Sequence, residues 1–290
     1  MKTLEQAHQE FNYEQLIQEQ LVGQPNAVNA YIECCQRYVG QQKTALIWEG
    51  KNGESEQWSF EQLDVASAQL ANYFKSIGIQ VGDCIAGLLP RTPELLITIL
   101  ATWRIGAIYQ PLFTAFESKA IEHRVLTANT KLIVTNAEQR PKLNHVEVKH
   151  ILTVNAGTNL ASNEADFWQE AEQHSDQCDA VLRSFDDDFL MMFTSGTTGL
   201  AKSVPVPLKA VLAFKGYMQH AVDLREDDSF WNLADPGWAY GLYYGITGPL
   251  SLGHSIIMDE RAFSVDHAVE VIKKYRVSNL TGSPTAFRMF

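Results

Sequence analysis

MMFTSGTTGLAKSVPVP, Met191 to Pro207, sets six consecutive hydroxyl or glycine residues, Thr194 to Gly199, between an apolar run and Lys202. Glycines let the backbone take turns that a Cβ forbids, so successive N–H groups can converge on one anion, and the hydroxyls add further donors. The apolar stretch Phe189 to Phe193 reads as a buried strand that fixes where the loop begins. A plain surface turn needs only one or two such residues. The stretch therefore reads as a phosphate-binding loop, with Lys202 as its positive charge.

The residues after the lysine decide the fold. Gly196 to Ser203 misses the pattern G-x-x-x-x-G-K-[ST] by one residue, Ala201 standing where the second glycine belongs. A loop of that kind runs into a helix whose N-terminus holds the phosphate. Here Pro205 and Pro207 alternate with Val204 and Val206, which removes the donors of a continuing helix and favours an extended edge strand. The unit is strand, loop, strand.

Outward from this unit, short apolar strands alternate with amphipathic helices, as in a mainly parallel sheet covered by helices. TALIWEG from Thr44 is a strand, Asn52-Gly53 marks a hairpin, and QWS returns. Ser59 with Gln62 gives a capping box for a helix that stops near Gly78. DCIAGLLP is the next strand, and Thr92-Pro93-Glu94 opens a helix with Thr92 as N-cap. AIYQPL, KLIVTN and HILTV continue the series. Past Asn155 the sequence is polar enough for a surface excursion with one short helix. Asp186, Asp187 and Asp188 could suggest a metal, but they read as a solvated strand entry. Ser283 and Pro284 start a helix that has only TAFRMF after them.

Composition narrows the function. With 290 residues, 46% hydrophobic and 20% charged, the chain is of ordinary globular type. A formal charge of -11 without a basic stripe argues against nucleic acid as partner. An anionic ligand then needs a locally positive or N–H-lined site, which the loop offers. The four cysteines, Cys34, Cys35, Cys84 and Cys178, have no metal-ligand spacing and fit a reducing, cytoplasmic setting. Cys34-Cys35 reads as a buried or half-buried pair on a helix. The eight histidines, His220 and His254 included, also lack ligand spacing. No run approaches the roughly 18 apolar residues of a membrane span.

Thr194, Ser195, Gly196, Thr197, Thr198, Gly199 and Lys202 resemble the phosphate loop of the AMP-forming adenylate synthetases, the superfamily of acyl-CoA synthetases, luciferases and peptide-synthetase adenylation domains. That pattern usually has proline before the lysine and glycine after it, where this chain has Ala201 and Ser203. WSFEQL (Trp58 to Leu63) and WRIGAIYQPL (Trp103 to Leu112) resemble other segments of the family. WNLADPGWAYGLYYGITGPLSLGHS and LTGSPTAFRMF resemble its acetyl- and medium-chain acyl-CoA synthetase branch. The resemblance implies an α/β fold of two stacked subdomains with mainly parallel sheets covered by helices, incomplete at the C-terminus. Residues 78–224 would form one subdomain, and residues 25–77 with 225–290 most of the other, all within a partial N-terminal AMP-binding domain.

The reaction implied is attack of a carboxylate on the α-phosphate of ATP, expelling pyrophosphate, and then thioester formation with coenzyme A. Lys202 and Thr194 are the expected catalytic residues, Thr194 to Gly199 with Lys202 hold the ATP phosphates, and Mg2+ assists. Trp238, Ala239, Tyr240 and Gly241 line the acyl end, with Tyr240 in place of the smaller residue of acetate enzymes. Asp235-Pro236-Gly237 as a mere turn and Trp238 as a core aromatic is the plain alternative for that segment. Tyr243 and Tyr244 read as packing. The expected partners are a small carboxylic acid, ATP and coenzyme A. The family's adenine, ribose and magnesium contacts and its C-terminal lysine have no counterpart among the 290 residues, so the chain alone is expected to be inactive. A non-catalytic remnant that binds nucleotide or a partner is the competing reading.

Overall fold

Two acidic residues hide a strand inside the polar excursion, and they show how this fold is assembled. Glu164–Asp166 lies beside His150–Val154 in parallel register, although its burial is only partial. Arg140 and the Thr153 hydroxyl bind the Glu164 carboxylate at 2.8 and 2.7 Å, so the charge is matched at the sheet edge. Asp166 then caps the short helix Phe167–Glu172 by accepting from the Trp168 and Gln169 amides. Alternation of apolar residues could not reveal a strand whose ends are acids.

The computed structural model describes residues 3–10, 12–158, 160–194 and 200–290. In chain order the strands are β1 (Thr44–Glu49), β2 (Ser55–Ser59), β3 (Cys84–Leu88), β4 (Ile108–Pro111), β5 (Leu132–Asn136) and β6 (His150–Val154). They continue with β7 (Glu164–Asp166), β8 (Asp188–Thr194), β9 (Lys202–Pro207), β10 (Phe230–Asn232), β11 (Ile256–Asp259) and β12 (Asn279–Thr281). The largest sheet runs β7-β6-β5-β3-β4-β8-β9, parallel throughout except for β9, which returns antiparallel along β8. A second sheet runs β11-β1-β2, and β10 pairs in parallel with β12. The fold is thus α/β with a mostly parallel sheet covered by helices, as the alternation predicts.

Local signals place the helices. Ser59 Oγ accepts from the Gln62 amide while the Gln62 side chain accepts from the Ser59 amide, the reciprocal box expected, and the helix Phe60–Ser76 begins there. The helix Pro93–Arg104 buries every residue but Glu94, which explains its apolar character all round. Thr92 does precede it, yet its hydroxyl makes no capping bond; the Thr92 carbonyl accepts from Leu95 instead. Proline at the first helical position already removes one orphan donor there. Ser283 Oγ caps Pro284–Phe287 through the Ala286 amide.

The core between sheet and helices contains Trp103, Tyr31, Tyr109, Phe60 and Phe74. Cys34 closes the helix Ala30–Cys34 and Cys35 is next in the chain; both are buried free thiols, donating to the Thr247 and Phe60 carbonyls. Charge also enters this interior. Arg104 bonds Asp64 at 2.9 Å and lies over the Tyr31 ring. Glu33, fully buried, pairs with Arg37 and accepts from the Val22 and Gly23 amides, while Arg37 and Lys215 both donate to the Gln20 carbonyl. These bonds tie the N-terminal helices to the core, since a buried charge left unpaired is strongly destabilising.

Candidate phosphate and acyl site

Strand β8 emerges from the sheet at Thr194, and β9 begins at Lys202 directly opposite it. The ladder continues as Phe193 with Ser203, Met192 with Val204 and Met191 with Pro205. The prolines are accommodated because β9 is the edge strand, where a missing donor costs no ladder bond. Thr194 and Lys202 are both exposed at the mouth of this hairpin. Ser195, Gly196, Thr197, Thr198 and Gly199, the centre of the expected phosphate loop, lie outside the described residues.

Below the hairpin, Asp186 pairs with Lys209 and Asp187 with Arg183, at 2.7 and 3.0 Å. Those acids are ion-paired at the strand entry. The Asp188 carboxyl is raised by its burial and by neighbouring Asp187.

The helix Ser118–Thr127 brings two side chains to the hairpin that sequence reasoning missed. His123 Nε2 donates to the Ala201 carbonyl at 2.8 Å. The Arg124 guanidinium lies 4.1 Å from the Phe116 ring centre and 5.6 Å from that of Phe193. Nothing in the local pattern pointed to them, because both contacts depend on how the helix packs on the sheet.

Phe116 leads to the second half of the site. Its ring meets Trp238 edge-on at 5.6 Å, and Phe113 meets the same indole at 5.5 Å. Trp238 remains 41% exposed, so it is not a core aromatic but the outer wall of a cluster. Asp235-Pro236-Gly237 forms a turn in which Asp235 Oδ1 accepts from the Gly237 amide at 2.7 Å. Burial raises the Asp235 carboxyl, with the Arg91 charge opposing it. Glycine is required twice here: a Cβ at Gly237 would stand 2.7 Å from the Phe113 Cα, and one at Gly241 would overlap the Asp235 carbonyl.

Past Gly241 the helix Ala239–Leu242 widens into a π-turn, Tyr243–Thr247, before Gly248–Ser251 resumes. Such insertions are often found at functional sites. Tyr240 meets Tyr244 edge-on at 5.3 Å, Tyr244 stacks on Tyr217 at 4.0 Å, and Tyr243 stacks on Phe214 at 4.4 Å. Tyr243 and Tyr244 therefore pack against the helix Ala210–His220. The Tyr240 phenol is raised by burial and by the adjacent Tyr217 phenol. Beside the π-turn, Asn232 Nδ2 is buried with no partner among the described residues. His254 lies apart from the site, in an open cleft with Lys43, Glu226 and Asp228, and burial lowers its imidazole.

Arg124, over both Phe193 and Phe116, and Phe116 against Trp238 connect the end of strand β8 to the aromatic, glycine-tight turn. The AMP-binding enzyme family matches residues 35–290, and the chain belongs to that family. Over 299 residues it is 32% identical to the acetyl-coenzyme A synthetase of Deinococcus radiodurans, covering 92% of this chain and 45% of that protein. It is 28% identical over 298 residues to the acetyl-coenzyme A synthetase of Bacillus subtilis, covering 100% of this chain and 52% of that one. The crystal structure of a Brucella canis acyl-CoA synthetase superposes with a TM-score of 0.96 at 47% identity, over 100% of this chain and 53% of that chain. The chain spans about half the length of the curated relatives it matches. No helix among the described residues is long and apolar enough to cross a membrane.

Proposed function

We propose that this chain supplies the phosphate-binding and acyl-binding parts of an AMP-forming acyl-CoA synthetase, with a short or medium-chain carboxylic acid, ATP and coenzyme A as substrates. The carrying observation is the hairpin register that sets Thr194 opposite Lys202 at the open end of the sheet. A carboxylic acid with a pKa near ~4 to 5 is already ionised at neutral pH, so no general base is required for the first step. Its oxygen bonds to the α-phosphorus as the bond to the β-phosphate oxygen breaks, and pyrophosphate leaves. Coenzyme A then attacks the acyl carbon through sulfur, losing the thiol proton, and AMP departs with the electron pair.

Lys202 and Thr194, with the loop residues 195–199, have the task of neutralising charge on the departing pyrophosphate. Trp238, Ala239, Tyr240 and Gly241 border the acid. Family membership, the exposed lysine at the strand end and the aromatic turn support this assignment together. The division into subdomains 78–224 and 25–77 with 225–290 belongs to the same proposal. Mg2+ is the remaining expectation. Among the described residues no three His, Cys, Asp or Glu side chains gather into a group that could hold a metal ion, so no step is assigned to it.

The test is a chimera in which residues 1–290 replace the matching half of the Brucella canis enzyme. Acid-dependent exchange of labelled pyrophosphate into ATP is expected. A folded chimera without exchange would favour the non-catalytic reading instead.

A further inference from the structure

We propose that His123 and Arg124 are positioning residues for Lys202, holding the facing ends of strands β8 and β9 from one helix. The inference rests on the phosphate reading of the loop between β8 and β9. Consecutive side chains on a helix point about 100° apart, so neighbours can reach different targets. Ile121 and Val125 pack Ser118–Thr127 against Ala86, Leu88 and Ile133 of the sheet, with His123 on the far face and Arg124 on the flank, which fixes the helix in place. The Gln110 side chain donates to the Arg124 carbonyl at 3.1 Å, adding a polar anchor.

From that fixed base, His123 reaches the start of β9 and Arg124 the end of β8. Ala201 immediately precedes Lys202 and has no ring to restrict its φ, unlike proline at the same place. The imidazole N–H on its carbonyl restrains the peptide from which the lysine departs. Only Nε2 bearing hydrogen can make this bond, which sets the tautomer. Arg124 donates to the Ala120 carbonyl at 2.8 Å and reaches the rings of both Phe116 and Phe193, the latter the residue before Thr194. Its planar guanidinium can stack on a ring face, which the compact ammonium of a lysine cannot. Because Phe116 also touches Trp238, the same guanidinium joins the loop entry to the aromatic turn.

The experiment titrates inorganic pyrophosphate into the 290-residue chain by calorimetry and tracks backbone amide exchange across residues 200–204 without ligand. His123→Leu removes the donor, whereas His123→Gln keeps one near the Nε2 position. His123→Leu is expected to weaken pyrophosphate binding about tenfold, the size of one lost hydrogen bond, and to speed amide exchange, while His123→Gln restores both. Arg124→Lys keeps the charge but loses the stack, and should weaken binding roughly three- to fivefold. Thermal midpoints of all variants should stay close to that of the unsubstituted chain. Unchanged binding and exchange in His123→Leu, or an equal loss in His123→Gln, overturns the inference alone. Failure of the unsubstituted chain to bind pyrophosphate overturns the phosphate reading and removes the ligand that this positioning would serve.

Discussion

The mouth of the β8–β9 hairpin and the turn from Asp235 to Thr247 are built on opposite plans. At the hairpin, polar side chains stand in water on a rigid ladder: Lys202 and Thr194 are exposed and set opposite each other by register, with His123 and Arg124 touching only the backbone and ring next to them. At the turn, almost everything is held by packing: Trp238 on Phe113 and Phe116, Tyr240 on Tyr244, Gly241 on the Asp235 carbonyl. On the proposed reading, an anion at the hairpin is met by charge and N–H groups rather than by packed walls. An alkyl chain is met by shape, which needs walls that do not move. Substitutions should therefore separate function from stability at the hairpin and combine them at the turn.

Lys202→Ala gives the largest expected effect. Removing one preorganised charge contact should lower acid-dependent pyrophosphate exchange in the chimera by roughly a hundredfold or more. Its unfolding free energy should stay within about 0.5 kcal/mol, as for other surface changes. A comparable loss of stability in denaturant melts would erase the contrast. Gly241→Ala tests the other plan, because the added methyl meets backbone that cannot yield. It should cost about 1–3 kcal/mol of stability together with activity. A variant as stable as the parent would show that the turn is not held as tightly as its contacts imply.

A third test reaches beneath the turn, to the helix whose Phe214 and Tyr217 support Tyr243 and Tyr244. Lys215 on that helix is buried, and its ammonium is pushed down to about 8 by that burial and by the Arg37 charge, with Glu33 opposing. The folded value lies below the ordinary lysine value of about 10.4, so between them the unfolded chain binds the extra proton and stability rises with pH. Measured against Lys215→Met, the parent should gain up to about 1.4 kcal/mol per pH unit above pH 8, and show no pH-dependent difference below pH 7. A flat difference across pH 8 to 10 would mean that the lysine remains charged in its site.

Tyr240→Gly carries the smallest expected effect. Removing the ring opens space for additional methylenes, each worth about 0.8 kcal/mol when buried, or close to a fourfold change in kcat/KM. The chimera should then prefer longer acids across a fatty-acid series. An unaltered profile would place Tyr240 outside the acyl wall.

The same contrast explains what could be read from the residues. The β8–β9 pairing was legible because its signals are local: an apolar strand before the loop and, after the lysine, alternating prolines that forbid a helix. The Ser59–Gln62 box was legible for the same reason. The turn was legible only as a motif, since Phe113 and Phe116 lie more than a hundred positions before Trp238 and nothing in their surroundings marks them. His123 reaches Ala201 across 78 positions, and Glu164 hides a strand behind an ion pair with Arg140. Tertiary partners convert such residues from surface to structure after local propensity has had its say.

Strand β1 pairs in parallel with β11, Glu49 beside Asp259, and this spacing imposes an order of birth on the molecule. At roughly 5–20 residues per second on a ribosome, about 10–40 s separate the emergence of the two strands. Every strand of the seven-stranded sheet has been made by Pro207, before β11 exists. One side of the molecule is thus ready to close while β1 still offers its edge, and a nascent chain stalled between residues 210 and 255 should be held by chaperones through β1 rather than through the β8–β9 hairpin.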